Sequence, residues 1–252
     1  MVHLGPLPGA PGFDDDFDNL IEDAVTDAER LEAAGFDGLM IENFGDAPFF
    51  ADDVPKVTIA AMTRVVSDIA AAVGVPFGVN VLRNDALGAL AVAAATDAAF
   101  IRVNVLSGQM ATDQGPIVGR AAEVARMRRS IAPDTLVLAD VFVKHATPPP
   151  GLSLEQAVAD AAGRAGADAI VISGPATGKA PSLPSIRKAR SAAGGLPIVI
   201  GSGATAASAT RLLDVADSLI VGTSVKERKL ATNPVSERSA ATFVKAARKG
   251  KR

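Results

Sequence analysis

The residues able to move protons or hold charge do not fall at random in this chain. Glu42 and Asn43 end one short apolar run, Asn80 and Arg83 follow a second, and Arg102 and Asn104 close a third. Asp140, Lys144 and His145 come at the end of a fourth, and Ser173 ends a fifth. Carboxylates beside lysine and arginine are equipment for proton transfer at a carbonyl: the base takes a proton and the cation steadies the oxygen that gains charge. Asp140 or Glu42 is the candidate base, because burial can tune either one. Lys144 or Arg102 is the candidate partner for the oxygen, and Lys144 is also a weaker candidate for a Schiff-base nucleophile. If Asp140 is the base, Asp140→Asn stops turnover and leaves the fold intact. The same residues also read as a structural network, in which Glu42, Arg102 and Asp140 pair because buried charges require partners. Of the two histidines, His3 sits in a Pro-rich turn, HLGPLPG, and His145 directly follows Lys144, so those two side chains diverge. Either imidazole could serve as acid or base.

Two glycine-bearing segments add a different chemistry. Residues 198–205 read IVIGSGAT and residues 218–226 read SLIVGTSVK. Glycine lets backbone N–H groups come close to phosphate oxygens. Gly201, Ser202 and Gly203 in the first segment, and Gly222, Thr223 and Ser224 in the second, are therefore candidate phosphate contacts, with Ser173 beside them and Lys226 as added charge. Other motifs fail. GPATGK, residues 174–179, is one residue short of a Walker A loop and is followed by Ala180 where Ser or Thr is needed. G-x-S-x-G and H-E-x-x-H are both absent, which leaves an esterase elbow and a zinc protease helix without support. No cofactor is expected beyond a Mg²⁺ ion that Glu42 or Asp140 could share with water and ligand oxygens.

Something must hold these groups together. Strands are expected at 2–4, 37–43, 76–82, 99–106, 135–143, 168–174, 197–201 and 217–222, each a short apolar run of the kind buried on both faces of a parallel sheet. Helical patterns fill the gaps at 19–34, 57–73, 85–95, 117–131, 154–165, 183–193, 204–213 and 235–247. Eight such units point to a closed (β/α)8 TIM barrel. The alternative, a doubly wound open sheet, lacks its glycine-rich first turn. In a barrel the strand carboxyl ends carry the site, and loops seven and eight commonly bind phosphate. Strand parity agrees: Arg102 and Asn104 share a face, as do Asp140 and Lys144. Gly38 is in phase with Glu42, Gly78 with Asn80 and Ala169 with Ser173, so small residues should lie inside below a polar mouth.

The composition limits the rest. The chain has 252 residues and no Cys, Trp or Tyr, which removes disulfides, thiolate nucleophiles and Cys-ligated metals. We expect one barrel domain over 1–252, ending in a short basic tail at about 248–252. A net charge of −3 argues against a nucleic-acid partner held by a general basic field. No apolar run reaches the roughly 18 residues of a spanning helix. The opening MVHLGPLPGAPGFDDD has no basic segment followed by an apolar one, so a signal peptide is not expected and the protein is placed in the cytoplasm. APFFA, residues 47–51, is apolar for a loop and suits a lid, a contact between copies in a homo-oligomer, or core packing.

Nine stretches, in order, resemble the BtpA family, also called BtpA/SgcQ: HLGPLPGAP, IENFGDAPF, GVNVLRNDA, FIRVNVLSG, DQGPIVGRAAEVARMR, LADVFVKHA, ADAIVISGPATG, IVIGSGAT and LIVGTSVK. The resemblance covers almost the whole chain. It implies a ribulose-phosphate-binding type of barrel and a small phosphorylated metabolite, such as a sugar phosphate, as ligand. The family takes its name from a member needed for photosystem I accumulation, and other members occur in organisms without photosynthesis. It supplies no settled reaction, so no catalytic role is carried over. Isomerase, epimerase, lyase and phosphate-ester hydrolase chemistry stay open, with proton transfer favoured. The competing reading is a non-catalytic assembly or regulatory factor, with the loops at 46–53 and 147–151 as its contact surface.

Overall fold

The computed structural model describes residues 1–174 and 179–249. In chain order the elements are β1 (Val2–His3), α1 (Phe17–Ala33), β2 (Leu39–Glu42), α2 (Lys56–Ala72), β3 (Phe77–Asn80), α3 (Ala86–Thr96) and β4 (Phe100–Val103). A hairpin follows, β5 (Gln109–Thr112) and β6 (Gly115–Val118), and then α4 (Ala121–Ile131), β7 (Leu136–Val141) and β8 (Ala146–Thr147). The last part holds α5 (Leu154–Ala159), β9 (Ala169–Ile172), α6 (Leu183–Ala192), β10 (Ile198–Ile200), α7 (Ala209–Leu213), β11 (Ser218–Leu219) and α8 (Glu237–Lys249).

The eight expected strands all form and pair in parallel, in the order β1-β2-β3-β4-β7-β9-β10-β11. The two edges meet, because the Met1 nitrogen donates to the Val221 carbonyl at 2.8 Å and α1 packs on α8. This is a (β/α)8 barrel. Helix α1 shows how the outer ring is built. Asp16 caps it by accepting from the Asn19 N–H, Ala24, Ala28 and Leu31 face the sheet, and Gly35 ends it at φ +90°. The floor of the barrel is apolar. Ala169, Val171 and Val199 pack with Leu138 and Ile220. The Phe100 ring fills the space that a Cβ on Gly78 would occupy, 2.2 Å away. The in-phase small residues are therefore where the barrel interior is crowded, and the polar groups lie above them.

The structure differs from expectation in four places. The helix expected at 117–131 begins at Ala121, because Ile117 and Val118 belong to β6. Strands β5, β6 and β8 form a small antiparallel sheet over the barrel rim. A separate apolar cluster of Val105, Met110, Ile117 and Val143 holds it there, with Ala51 of the APFFA loop packed against it. The helix expected at 154–165 is α-helical only through Ala159 and finishes as a π turn over Asp160–Arg164. Helix α7 starts five residues late, because the Thr205 N–H is satisfied by the Ser208 hydroxyl at 3.0 Å in a turn before the helix. The end of the basic tail, 250–252, and most of the GPATGK stretch, 175–178, lie outside the described residues. Among the described residues no helix is long and apolar enough to cross a membrane.

Candidate active site

Arg102 is the centre of the mouth. It projects inward from β4, is 4 % exposed, and makes a two-pronged pair with Asp140 of β7: Nε to Oδ1 at 3.2 Å and Nη2 to Oδ2 at 3.0 Å. The Asn104 amide donates to the same Oδ2 at 2.9 Å, and Asn80 of β3 donates to Asn104 Oδ1 and to the Arg102 carbonyl, both at 3.0 Å. Gly201 makes room for the guanidinium, since a Cβ there would lie 3.2 Å from Nη2 and 2.6 Å from the Ser173 hydroxyl. Burial works against the charge on Arg102, but Asp140 and Glu42 hold its pKa above the ordinary value.

This geometry separates the two carboxylates. The Asp140 side chain is 0 % exposed and accepts three hydrogen bonds, so it positions Arg102 and is not an open base. The expectation that Asp140 removes a substrate proton meets this obstacle directly. Glu42 is different. Its carboxylate lies 4.0 Å from Arg102 Nη1 and 3.9 Å from His3 Nε2, and it makes no hydrogen bond among the described residues. It lines a cavity of about 230 Å³ together with His3, Arg102 and Lys144. Lys144 is half-buried and likewise has no hydrogen-bond or ion-pair partner among the described residues. Burial lowers its pKa, Arg102 and Arg83 push the same way, and Glu42 and Asp140 oppose them. Arg83 is buried and donates from Nη2 to the Lys144 carbonyl at 2.6 Å. Burial of Arg83 lowers its own pKa.

His3 closes the first side. Its Nδ1 lies 3.1 Å from the Ala231 carbonyl, which can only accept, so Nδ1 carries the proton and Nε2 turns its lone pair toward Glu42. The Phe44 ring sits 4.7 Å from the imidazole. Burial, helped by the nearby ammonium of Met1 and by Lys226, lowers the His3 pKa to about 3, so the ring is neutral near pH 7. His145 is exposed, adopts φ +58° and does not line this cavity. The structure thus brings His3, Glu42, Arg102 and Lys144 together, keeps Asn80, Asn104 and Asp140 behind them, and leaves His145 at the surface.

The opposite wall is made by the two glycine segments, residues 201–205 and 222–224, together with Lys229. The N–H groups of Ser202, Gly203, Ala204, Gly222 and Thr223 have no partner among the described residues. The buried hydroxyls of Ser173 and Ser202 have none either. Three expected contacts are committed elsewhere. The Gly201 N–H donates to the Ile172 carbonyl at 2.9 Å as part of the ladder, and the Ser224 hydroxyl donates to the Ala204 carbonyl at 2.8 Å, tying the two loops together. Lys226 points away, its Nζ 2.5 Å from Asp27 Oδ2 in α1, so it adds no charge to the loops. Lys229 takes that place. No spacing signal marks it, because it sits at φ +56° in an irregular turn. A second recess of about 510 Å³ lies beside the ends of β4 and β7 and reaches α5, lined by Asn104 and Asp140 together with apolar side chains such as Val105, Met110, Val141 and Phe142.

Residues 1–249 match the model of the BtpA family. The chain belongs to the BtpA family. It is 43 % identical to the photosystem I biogenesis protein BtpA of Synechocystis over 250 residues, covering 99 % of this chain and 87 % of that one. It is 42 % identical to a protein of Methanocaldococcus jannaschii over 249 residues, covering 99 % of this chain and 94 % of that one. Among solved structures, phosphoribosyl anthranilate isomerase of Thermus thermophilus superposes with a TM-score of 0.59 at 13 % identity, over 89 % of this chain and 94 % of that one. The geranylgeranylglyceryl phosphate synthase of Thermoplasma acidophilum, bound to sn-glycerol-1-phosphate, gives 0.58 at 17 % identity, over 90 % of this chain and 88 % of that one. At such identities the structural likeness establishes the barrel fold.

Proposed function

We propose that this BtpA-family barrel is an enzyme that moves a proton next to the carbonyl of a small phosphorylated metabolite, in isomerase, epimerase or lyase-type chemistry. One observation carries the reading: an open carboxylate, Glu42, faces across a small cavity to a wall of unpartnered N–H and hydroxyl donors. The phosphate accepts from the loops at 202–204 and 222–223 and from Ser202 and Ser173, with Lys229 adding charge. Two barrel neighbours carry phosphorylated compounds in their names, which is consistent with that end of the site. At the other end Glu42 is the base, and Arg102, fixed by Asp140 and Asn104, stabilises the enolate oxygen. Glu42 and the His3 Nε2 lone pair are both acceptors, so a hydroxyl beside the carbonyl has partners there. Three cations, Arg83, Arg102 and Lys144, surround the one open carboxylate, and no group of three or more acids or histidines suited to a metal exists among the described residues. The charge balance suits an anionic ligand without Mg²⁺, and EDTA leaves activity unchanged on this reading.

The test is a panel of phosphorylated sugars. A binder at 100 times its Kd adds about 2.7 kcal/mol to stability, visible as a rise in Tm. In deuterated water the same compound then exchanges a carbon-bound hydrogen, and Glu42→Gln stops the exchange while keeping the rise in Tm. A panel with no binder removes the reading. The Synechocystis relative's name favours the assembly-factor alternative. Phe50, 58 % exposed in the loop at 46–53, is where a partner protein would rest. A partner that co-purifies with a chain insensitive to every phosphorylated compound establishes that alternative.

A further inference from the structure

We infer that Lys144 is a covalent catalyst: its amine condenses with the carbonyl of the phosphorylated ligand to form an imine beside Glu42. This rests on the reading of the cavity as a phosphorylated-carbonyl site and specifies what happens in it. Most lysines at a site entrance are solvated or paired. Lys144 is only partly solvated and is not paired, for it lines the cavity half-buried and without a hydrogen-bond or ion-pair partner among the described residues. Its backbone is held in place, because Arg83 reaches across from the end of β3 to its carbonyl at 2.6 Å. Burial is the main influence against a positive charge on Lys144, Arg102 and Arg83 act the same way, and Glu42 and Asp140 oppose them without reversing the direction. A lysine next to other cations in a partly desolvated pocket is the arrangement that keeps an amine nucleophilic near neutral pH.

The step balances without an oxidant or reductant. The amine lone pair forms a C–N bond to the carbonyl carbon, and the carbonyl π pair moves onto oxygen. The nitrogen's two hydrogens leave with that oxygen as water, relayed by Glu42, whose carboxylate makes no hydrogen bond among the described residues. A proton taken up from solvent then converts the imine to an iminium, an electron sink, so the neighbouring carbon is acidified and Glu42, again a carboxylate, removes its proton. Arg102 remains bound to Asp140 throughout and steadies the oxygen while it gains charge and departs, and an enamine then stands in the place of the enolate.

Reductive trapping tests this. The intact protein is treated briefly at neutral pH with glyceraldehyde 3-phosphate and sodium cyanoborohydride, then digested and mapped by mass spectrometry. Each unit by which a lysine pKa is lowered raises its neutral fraction about ten-fold. Lys144, whose pKa burial lowers, is therefore expected to take up the reduced adduct faster than the exposed Lys56 and Lys188. Inorganic phosphate slows labelling at Lys144 alone, and Lys144→Arg, with an unchanged Tm, loses that adduct. Labelling of Lys144 no faster than Lys188 overturns the inference. A rise in Tm with phosphate but no adduct at Lys144 leaves the phosphate site standing and the imine overturned. An adduct at Lys144 that phosphate does not slow upholds the amine and overturns the phosphate wall.

Discussion

Arg102 depends on Asp140, and the cost of separating them is a prediction at the scale of one residue. Both side chains are almost wholly buried, and leaving one such charge unpaired costs about 3–5 kcal/mol. Asp140→Asn should therefore shift the urea midpoint markedly as well as lowering activity. A variant that is inactive yet as stable as the parent would restore Asp140 to the role of base. His3 makes a pH prediction. Its pKa is about 3 in the fold against 6.5 ordinarily. Above pH 6.5 both states are neutral and nothing is lost. As the pH falls from 6.5 toward 3 the unfolded chain binds a proton that the fold refuses. Stability then falls by up to about 1.4 kcal/mol per pH unit from this group. Melting curves from pH 7 to pH 5 should show that slope in the parent and a flatter one in His3→Asn.

At the scale of the element, the phosphate wall depends on close backbone packing. Gly203 has φ +76°, and a Cβ on it would lie 2.1 Å from the Ala180 nitrogen and 2.2 Å from the Lys179 carbonyl carbon. Gly203→Ala cannot relax both faults, so it should cost more than the roughly 1 kcal/mol of a left-handed alanine, and isothermal titration with inorganic phosphate should show weaker binding. The strands were readable in the sequence because parallel strands buried on both faces announce themselves as apolar runs. The inward positions of Arg102 and Asp140 followed from period-two parity. The β5–β6 hairpin was not readable, since QMAT and GPIV are short, contain a proline and lack alternation. Contacts with Val105 and Val143, distant in sequence, hold them in place. The direction of Lys226 was hidden for the same reason: its partner Asp27 is 199 residues away. Arg83 was legible as a polar residue after a strand, but its bond to Lys144 was not.

At the scale of the molecule, the sheet edges meet through few strand hydrogen bonds, and a buried pair supports the junction. Lys226, just after the last strand, bonds Asp27 in α1, whose other oxygen accepts from the Val235 N–H at 2.6 Å. Lys226→Met leaves the Asp27 carboxylate buried without its cation, at a cost of about 3–5 kcal/mol. Native-state hydrogen exchange should then accelerate at 223–236 and in α1 ahead of β3 and β4. Uniform acceleration would mean that the junction is no weaker than the rest.

The hairpin at the rim has one more consequence. Its turn, Asp113–Gln114, lies between β4 and β7, whose residues Arg102 and Asp140 form the central pair. A chain cut there yields two fragments, one carrying Glu42, Arg83 and Arg102, the other Asp140, Lys144 and both glycine loops. Neither fragment holds a working set of groups. Each, however, ends or begins in a strand whose partner is on the other. Mixed together, β5 and β6 give the fragments a matching zipper, so catalysis becomes a direct report of their reassembly.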